Sequence, residues 1–180
     1  MTRGGTGTTA LIRPARPSDA EAIARVHVDS WQAAYLGIIP APVLNAMNVG
    51  GLAEGYHRSL RREPQGHSRT LVAAVDGEVL GFTSLGPTRD PDDNPHFIGE
   101  IYALYLTPIV WGKGLGFELF KAAQDHLQAQ LFAAATVWVL RQNTRARRFY
   151  EMAGFQRDRG ARDAVLGQVR LPEVRYRARL

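Results

Sequence analysis

A chain of 180 residues, 45% hydrophobic and 22% charged, has the balance of a soluble globular protein and the length of one domain of the ordinary ~100–200 residues. It contains no cysteine, which excludes disulfides, zinc–thiolate sites, iron–sulfur clusters and thiol nucleophiles. The net charge is +5, with 13 basic against 9 acidic residues over 91–180 and 9 against 8 before them; so small an excess suits a phosphorylated small molecule as well as a nucleic acid, and nucleic-acid binding is not expected.

Residues 1–10 are Thr/Gly-rich and read as a disordered tail ahead of one domain over residues 11–180. They lack the apolar stretch of a signal peptide, and no window reaches the ~18 apolar residues of a membrane span, so the expected location is the cytoplasm with no membrane partner. Leu11-Ile12-Arg13 reads as a short strand stopped by Pro14. Ser18 followed by Glu21 has the form of a capping box and predicts a helix from about Asp19 to Tyr35, with Ile23, Val26, His27, Ser30 and Trp31 at helical spacing. Gly37-Ile38-Ile39-Pro40 ends it. A short helix begins at Pro42-Val43-Leu44, and residues 50–68 hold an irregular one.

From Thr70 the apolar period shortens. Leu71 to Val75 and Val79 to Leu85 flank Asp76-Gly77, the signature of a hairpin whose turn needs positive φ at both central residues. A loop over 86–96 leads to a strand from Ile98 to Leu106, and a glycine run opens a helix with Leu115, Leu119, Ala123 and Leu127 on one face. A strand from Ala135 to Leu140, a helix from Thr144 to Met152 and closing strands around Val165-Leu166 and Val174-Arg175-Tyr176 complete the chain. The order, strands first in hairpins and then alternating with helices, predicts an α/β or α+β domain with a mixed sheet.

The stretch Glu100 to Gly116 carries the most chemistry. A strand runs through a short turn into Gly112, Gly114 and Gly116 at a helix start, where unpaired N–H groups and the positive end of the helix dipole make an anion site. Two rival phosphate motifs fail: the dinucleotide fingerprint needs glycine where Phe117 stands, and a P-loop needs Ser or Thr where Gly114 follows Lys113. The five histidines show no metal-ligand spacing, so no metal site is expected, and no Gly-x-Ser-x-Gly elbow is present.

Glu100-Ile101-Tyr102-Ala103-Leu104-Tyr105-Leu106, the glycine run, and Val139 to Phe155 with its Asn143, Tyr150 and Gly154-Phe155 stand in the order found in the GNAT superfamily of N-acetyltransferases, which the chain resembles over roughly residues 11–180. His27-Val28-Asp29-Ser30-Trp31 and Gly37-Ile38-Ile39-Pro40 add to the likeness. The resemblance implies a mostly antiparallel mixed sheet of six to seven strands, splayed at its centre and flanked by about four helices, with acetyl-CoA as co-substrate. It assigns the pantetheine arm to Leu104, Tyr105 and Leu106, and the pyrophosphate to Gly112, Lys113, Gly114, Leu115 and Gly116. Asn143 is implied as a further cofactor contact, with a helix cap as its alternative. One position departs from the family pattern: the loop usually opens with Gln or Arg, and here it opens with Trp111.

For catalysis the resemblance implies Glu100 as base and Tyr150 as acid. An amine with a pKa near ~10.4 must lose a proton before it attacks, and a thiolate leaving group near ~8.5 is readily protonated by a phenol near ~10. An exposed strand-end Glu and a helix aromatic packed on Phe155 are the competing readings. The acceptor site falls to Trp31 and Tyr35, with His27 beside them, although their i, i+4 spacing also suits core. Asp90, Asp92 and Asp93 read as a solvated loop, with attraction of a cationic amine as the alternative, and some of Arg141, Arg145, Arg147 and Arg148 are expected at the CoA 3′-phosphate. The expected activity is acetyl transfer to a small-molecule primary amine by direct attack in a ternary complex. A protein N-terminus or lysine as acceptor, a non-catalytic acyl-CoA- or nucleic-acid-binding module, and a homodimer remain open.

Overall fold

The computed structural model describes residues 10–62 and 68–180; nearly all of the expected N-terminal tail lies outside them. The elements in chain order are β1 (Leu11–Pro14), α1 (Ala20–Ala34), α2 (Ala41–Asn45), α3 (Val49–Arg61), β2 (Arg69–Val75), β3 (Glu78–Pro87), β4 (Ile98–Leu106), α4 (Leu115–Ala129), β5 (Ala134–Leu140), α5 (Thr144–Met152), β6 (Gln156–Leu166) and β7 (Val169–Arg179). Seven strands form one sheet in the order β1-β2-β3-β4-β5-β7-β6. Every pairing is antiparallel except β4 with β5. Among the described residues five helices rather than about four accompany it.

Two differences from the sequence reading have local causes. Ser18 does not cap α1: it is exposed inside a 3-10 turn, Pro17–Asp19, that precedes the helix. The Asp19 carboxylate closes that turn by accepting the Arg16 N–H at 2.7 Å and the Arg13 guanidinium at 2.7 and 2.9 Å. Those donors hold its pKa below the usual carboxylate range, the hydrogen bond from Arg13 foremost. The segment expected as an irregular helix is the regular α3, opened by Asn48, whose Oδ1 accepts the Gly51 N–H at 2.9 Å. The Asp76-Gly77 hairpin forms as expected, with φ of 51° and 85°.

Two of the three apolar clusters among the described residues lie on opposite faces of the sheet. On one face α1 and α3 cover β2, β3 and β4, with Ile23, Val26, Val72 and Phe82 at the centre and Ala103 and Tyr105 against them. On the other, Leu115, Leu119, Ala123 and Leu127 of α4 bury against Leu85, Ile101, Val137 and Val139, with Leu104 and Leu106 alongside. A bulge between β3 and β4 arranges this: Ser84 pairs with Ala103 but Leu85 pairs with Ile101, leaving Tyr102 as the extra residue. It carries Ile101 and Leu104, three apart, onto the same face.

Candidate active site

β4 and β5 pair only over Ile98–Ile101 and Ala134–Val137. Beyond that point β4 stays with β3 and β5 stays with β7, so from Tyr102 to Leu106 the edge of β4 that faces β5 has no ladder partner among the described residues. A cleft of about 350 Å³ opens in this gap and passes through the sheet. Its α4 side is lined by Leu104, Leu106, Gly112, Gly114, Gly116 and Tyr150; its α1 side by Ser30, Tyr35, Tyr105 and Trp138.

The glycine run forms one wall. Gly112 and Gly114 have φ of 74° and 89°, the left-handed region that admits glycine without strain, and this lets the chain turn abruptly into α4. The Phe117 and Glu118 N–H groups bond back to the Gly114 carbonyl at 2.9 and 3.2 Å. The N–H groups of Gly112, Gly114, Leu115 and Gly116 have no acceptor among the described residues. These donors at the positive end of a 15-residue helix form a ready anion cradle. The Leu115 side chain is buried in the core, and Lys113 is exposed on the outside of the turn.

Trp111 has an unexpected place. Its indole N–H donates to the Leu106 carbonyl at 2.8 Å, bracing the loop against the end of β4. The Arg145 guanidinium of α5 lies over its ring, 3.8 Å from the centroid. Arg145 lines the cleft and has no carboxylate partner among the described residues, and burial lowers its pKa. An uncompensated cation therefore stands beside the loop whose usual opening Gln or Arg is missing. The other arginines do not line the cleft: Arg147 donates to the Tyr176 hydroxyl at 3.0 Å, and Arg141 and Arg148, exposed as Arg145 is, lie outside it. Asn143 lines the cleft and also caps α5, its Oδ1 accepting the Ala146 N–H at 3.0 Å.

Tyr150 is buried against Phe120 and Phe149, with ring centroids 5.5 and 5.2 Å away and Phe155 at 6.3 Å, and it also lines the cleft. Burial, and to a lesser degree Tyr105, push its pKa well above the ordinary value, so the phenol keeps its proton. Tyr35 lines the α1 side, whereas Trp31 stands behind it, edge-on at 5.0 Å, outside the cleft. Glu100 also lies outside it. The carboxylate is 1% exposed and accepts the Arg89 backbone N–H at 2.9 Å and the Arg89 guanidinium at 2.7 and 3.4 Å.

The expected solvated acidic loop is instead an anchored one. Asp90 is buried and accepts the Trp138 indole N–H at 3.0 Å; Arg175 of β7 bonds Asp90, Asp92, Asp93 and Asp158 at 2.8–3.2 Å. The oxygens of Asp90, Asp92 and Asp93 lie within 4.8 Å of one another, a spacing that would suit a metal, but guanidinium groups hold the place a cation would take. Trp138 escaped the sequence reading because β5 looks uniformly apolar. Its signal was the alternation that sets Thr136, Trp138 and Leu140 on the face opposite Val137 and Val139. Arg175 offered a plainer one, a charge inside an apolar strand.

The profile of the acetyltransferase (GNAT) family matches residues 44–155. The chain belongs to the GNAT family of N-acetyltransferases. It is 34% identical to the N-acetyltransferase YuaI of Bacillus subtilis over 91% of this chain and 89% of that one. With the probable N-acetyltransferase Rv2775 of Mycobacterium tuberculosis it shares 30% over 92% and 91%. The crystal structure of PaiA N-acetyltransferase from Thermoplasma acidophilum in complex with coenzyme A has the same fold, with a TM-score of 0.72 and 20% identity over 96% of this chain and 99% of that one. The seven-stranded, centrally splayed sheet is thus the GNAT sheet, and the cleft of this acetyltransferase lies at its splay. No helix among the described residues is long and apolar enough to cross a membrane.

Proposed function

We propose that the protein transfers an acetyl group from acetyl-CoA to a primary amine of a small molecule, in the cytoplasm, by direct attack in a ternary complex. The observation that carries this is the row of N–H groups at Gly112, Gly114, Leu115 and Gly116, unpartnered among the described residues, beside a strand edge likewise unpaired there. The N–H groups suit the diphosphate, with Arg145 supplying the cation that Trp111 does not. The free edge of β4 suits the amides of the pantetheine arm, which bonds there as an added strand would. The thioester then lies at the splay, near Tyr150 on one side and the α1 side of the cleft on the other.

The nitrogen lone pair of the amine attacks the thioester carbon; the C–N bond forms and the C–S bond breaks. The departing sulfur takes the Tyr150 proton. Thiolate and phenolate are both anions in the same apolar cleft, so burial raises both pKa values and leaves the gap of about 1.5 units that separates them in water. Before attack the substrate ammonium gives one proton to Glu100 through water, since Glu100 does not touch the cleft, and the proton that the nitrogen sheds after attack returns to the Tyr150 phenolate. Proximity supplies most of the rate.

Incubating the purified protein with acetyl-CoA and a panel of small primary amines, with detection of free thiol, tests this. Amine-dependent thiol release matched by N-acetylated product is the expected result. Release that no amine accelerates would refute it.

A further inference from the structure

The α1 side of the cleft is uncharged and walled by rings. Its polar groups are the hydroxyls of Ser30, Tyr35, Tyr102 and Tyr105, and no carboxylate or cation lines it among the described residues; the one charged lining residue, Arg145, is on the α4 side. Ser30 is buried with no hydrogen-bond partner among the described residues, and Tyr102 is spent on the Pro87 carbonyl at 2.6 Å. Burial raises the pKa of Tyr35 and Tyr105, keeping both neutral. Glu173 is the carboxylate whose charge reaches those two phenols, and it is bound to Arg162 at 2.7 Å. The acidic loop is spent on Arg175 and Arg177.

The walls are held rigidly. Trp138 is fixed through its indole N–H to Asp90, and Arg162, which does not line the cleft, covers its ring at 4.1 Å. Tyr105 stacks on His27, centroids 5.0 Å apart and planes 12° from parallel, and Tyr35 meets Trp31 edge-on. Flat apolar surfaces whose rotamers are set in advance favour a flat apolar body at little ordering cost.

We infer that the acceptor is a monoamine on a flat apolar or aromatic body, and that a second ammonium on the acceptor is excluded. This rests on the acetyl-transfer reading and narrows it. The reacting nitrogen meets neutral hydroxyls, which accept its N–H bonds without a counterion. A distal ammonium would be stripped of water with no carboxylate to receive it, and a charge buried unpaired is strongly disfavoured. A peptide would have to bring further charges and amides into the same ring-walled space.

Steady-state kinetics at saturating acetyl-CoA test this with n-hexylamine, 1,6-diaminohexane, 2-phenylethylamine and the dipeptide Ala-Glu. The first pair differ only by the distal ammonium. Hexylamine and phenylethylamine should exceed both the diamine and the peptide in kcat/KM by at least about tenfold, a span one pocket contact can give. Trp138→Ala should raise KM for phenylethylamine by a similar factor with KM for acetyl-CoA unchanged. Trp138→Phe, which keeps a ring, should retain most of the preference and serves if the alanine variant does not fold. A diamine or peptide turned over as well as the monoamines, or no monoamine turned over by a protein that binds acetyl-CoA calorimetrically, overturns the inference. Failure to bind acetyl-CoA overturns the acetyl-transfer reading itself.

Discussion

His27 shows how one buried side chain ties stability to pH. Its ring lies among Trp31, Tyr56, Phe82 and Tyr105. Nδ1 is 2.8 Å from the Tyr56 hydroxyl and Nε2 has no hydrogen-bond partner among the described residues. Burial pushes its pKa down to about 4. The folded protein therefore refuses a proton that the unfolded chain accepts below ~6.5, and the associated stability is complete above that pH and lost as pH falls toward 4. The loss is roughly 3 kcal/mol. Denaturant titrations at pH 7 and pH 4 should show the wild type losing about this much more than His27→Gln; parallel losses would contradict it. Two further substitutions separate chemistry from binding. Tyr150→Phe should lower kcat by about 10²-fold or more, within the range for a general acid, with little change in KM for acetyl-CoA; equal effects on both would make Tyr150 a binding group. Glu100→Gln should lower kcat by about 10²-fold or more with little change in KM for acetyl-CoA; a variant that keeps kcat and only loses stability would confine Glu100 to anchoring Arg89.

At the scale of elements, the β4-loop-α4 unit joins three requirements in one stretch of chain. The strand must leave its neighbour, the turn must pass through left-handed backbone, and the helix must start with its N–H groups unpaired. Gly114 meets the second, and a side chain there would pay about 1–2 kcal/mol of backbone strain. The open space around its Cβ position means that strain, not collision, is the disturbance. Gly114→Ala should therefore raise KM for acetyl-CoA by about tenfold or more, since a small rotation misdirects several donors together, while circular dichroism stays that of the wild type. An unchanged KM would show that the loop does not hold the coenzyme. The same unit was plain in the sequence. β4 and α5 have the ends their apolar period and cap predicted, and the glycine run announced the turn. The β6–β7 hairpin was legible only in fragments. Arg157, Asp158, Arg159, Arg162 and Asp163 give β6 no apolar alternation, and Asp158, Arg162 and Asp163 make ion pairs instead of a core.

For the molecule as a whole, what could not be read was what joins distant segments. Arg175 and Asp92 are 83 residues apart, yet their ion pair of 2.8 Å helps to bind the β3–β4 loop to the far strands and, through Asp90, sets Trp138 in the cleft. Four aspartates around a single guanidinium follow no local period, so no motif reveals them. Glu100 and Arg89 illustrate the same limit: the sequence marked the carboxylate, and only the fold disclosed its partner. The cleft itself was foreseeable from the family likeness, but its uncharged ring-lined half depends on α1, β4 and β5 meeting in space. All of it serves one claim, that the splay between β4 and β5 and the loop at the head of α4 hold coenzyme A. Calorimetric titration of coenzyme A into the intact protein tests that claim most directly. The expected result is saturable one-to-one binding; a folded protein that evolves no binding heat across the titration would contradict it.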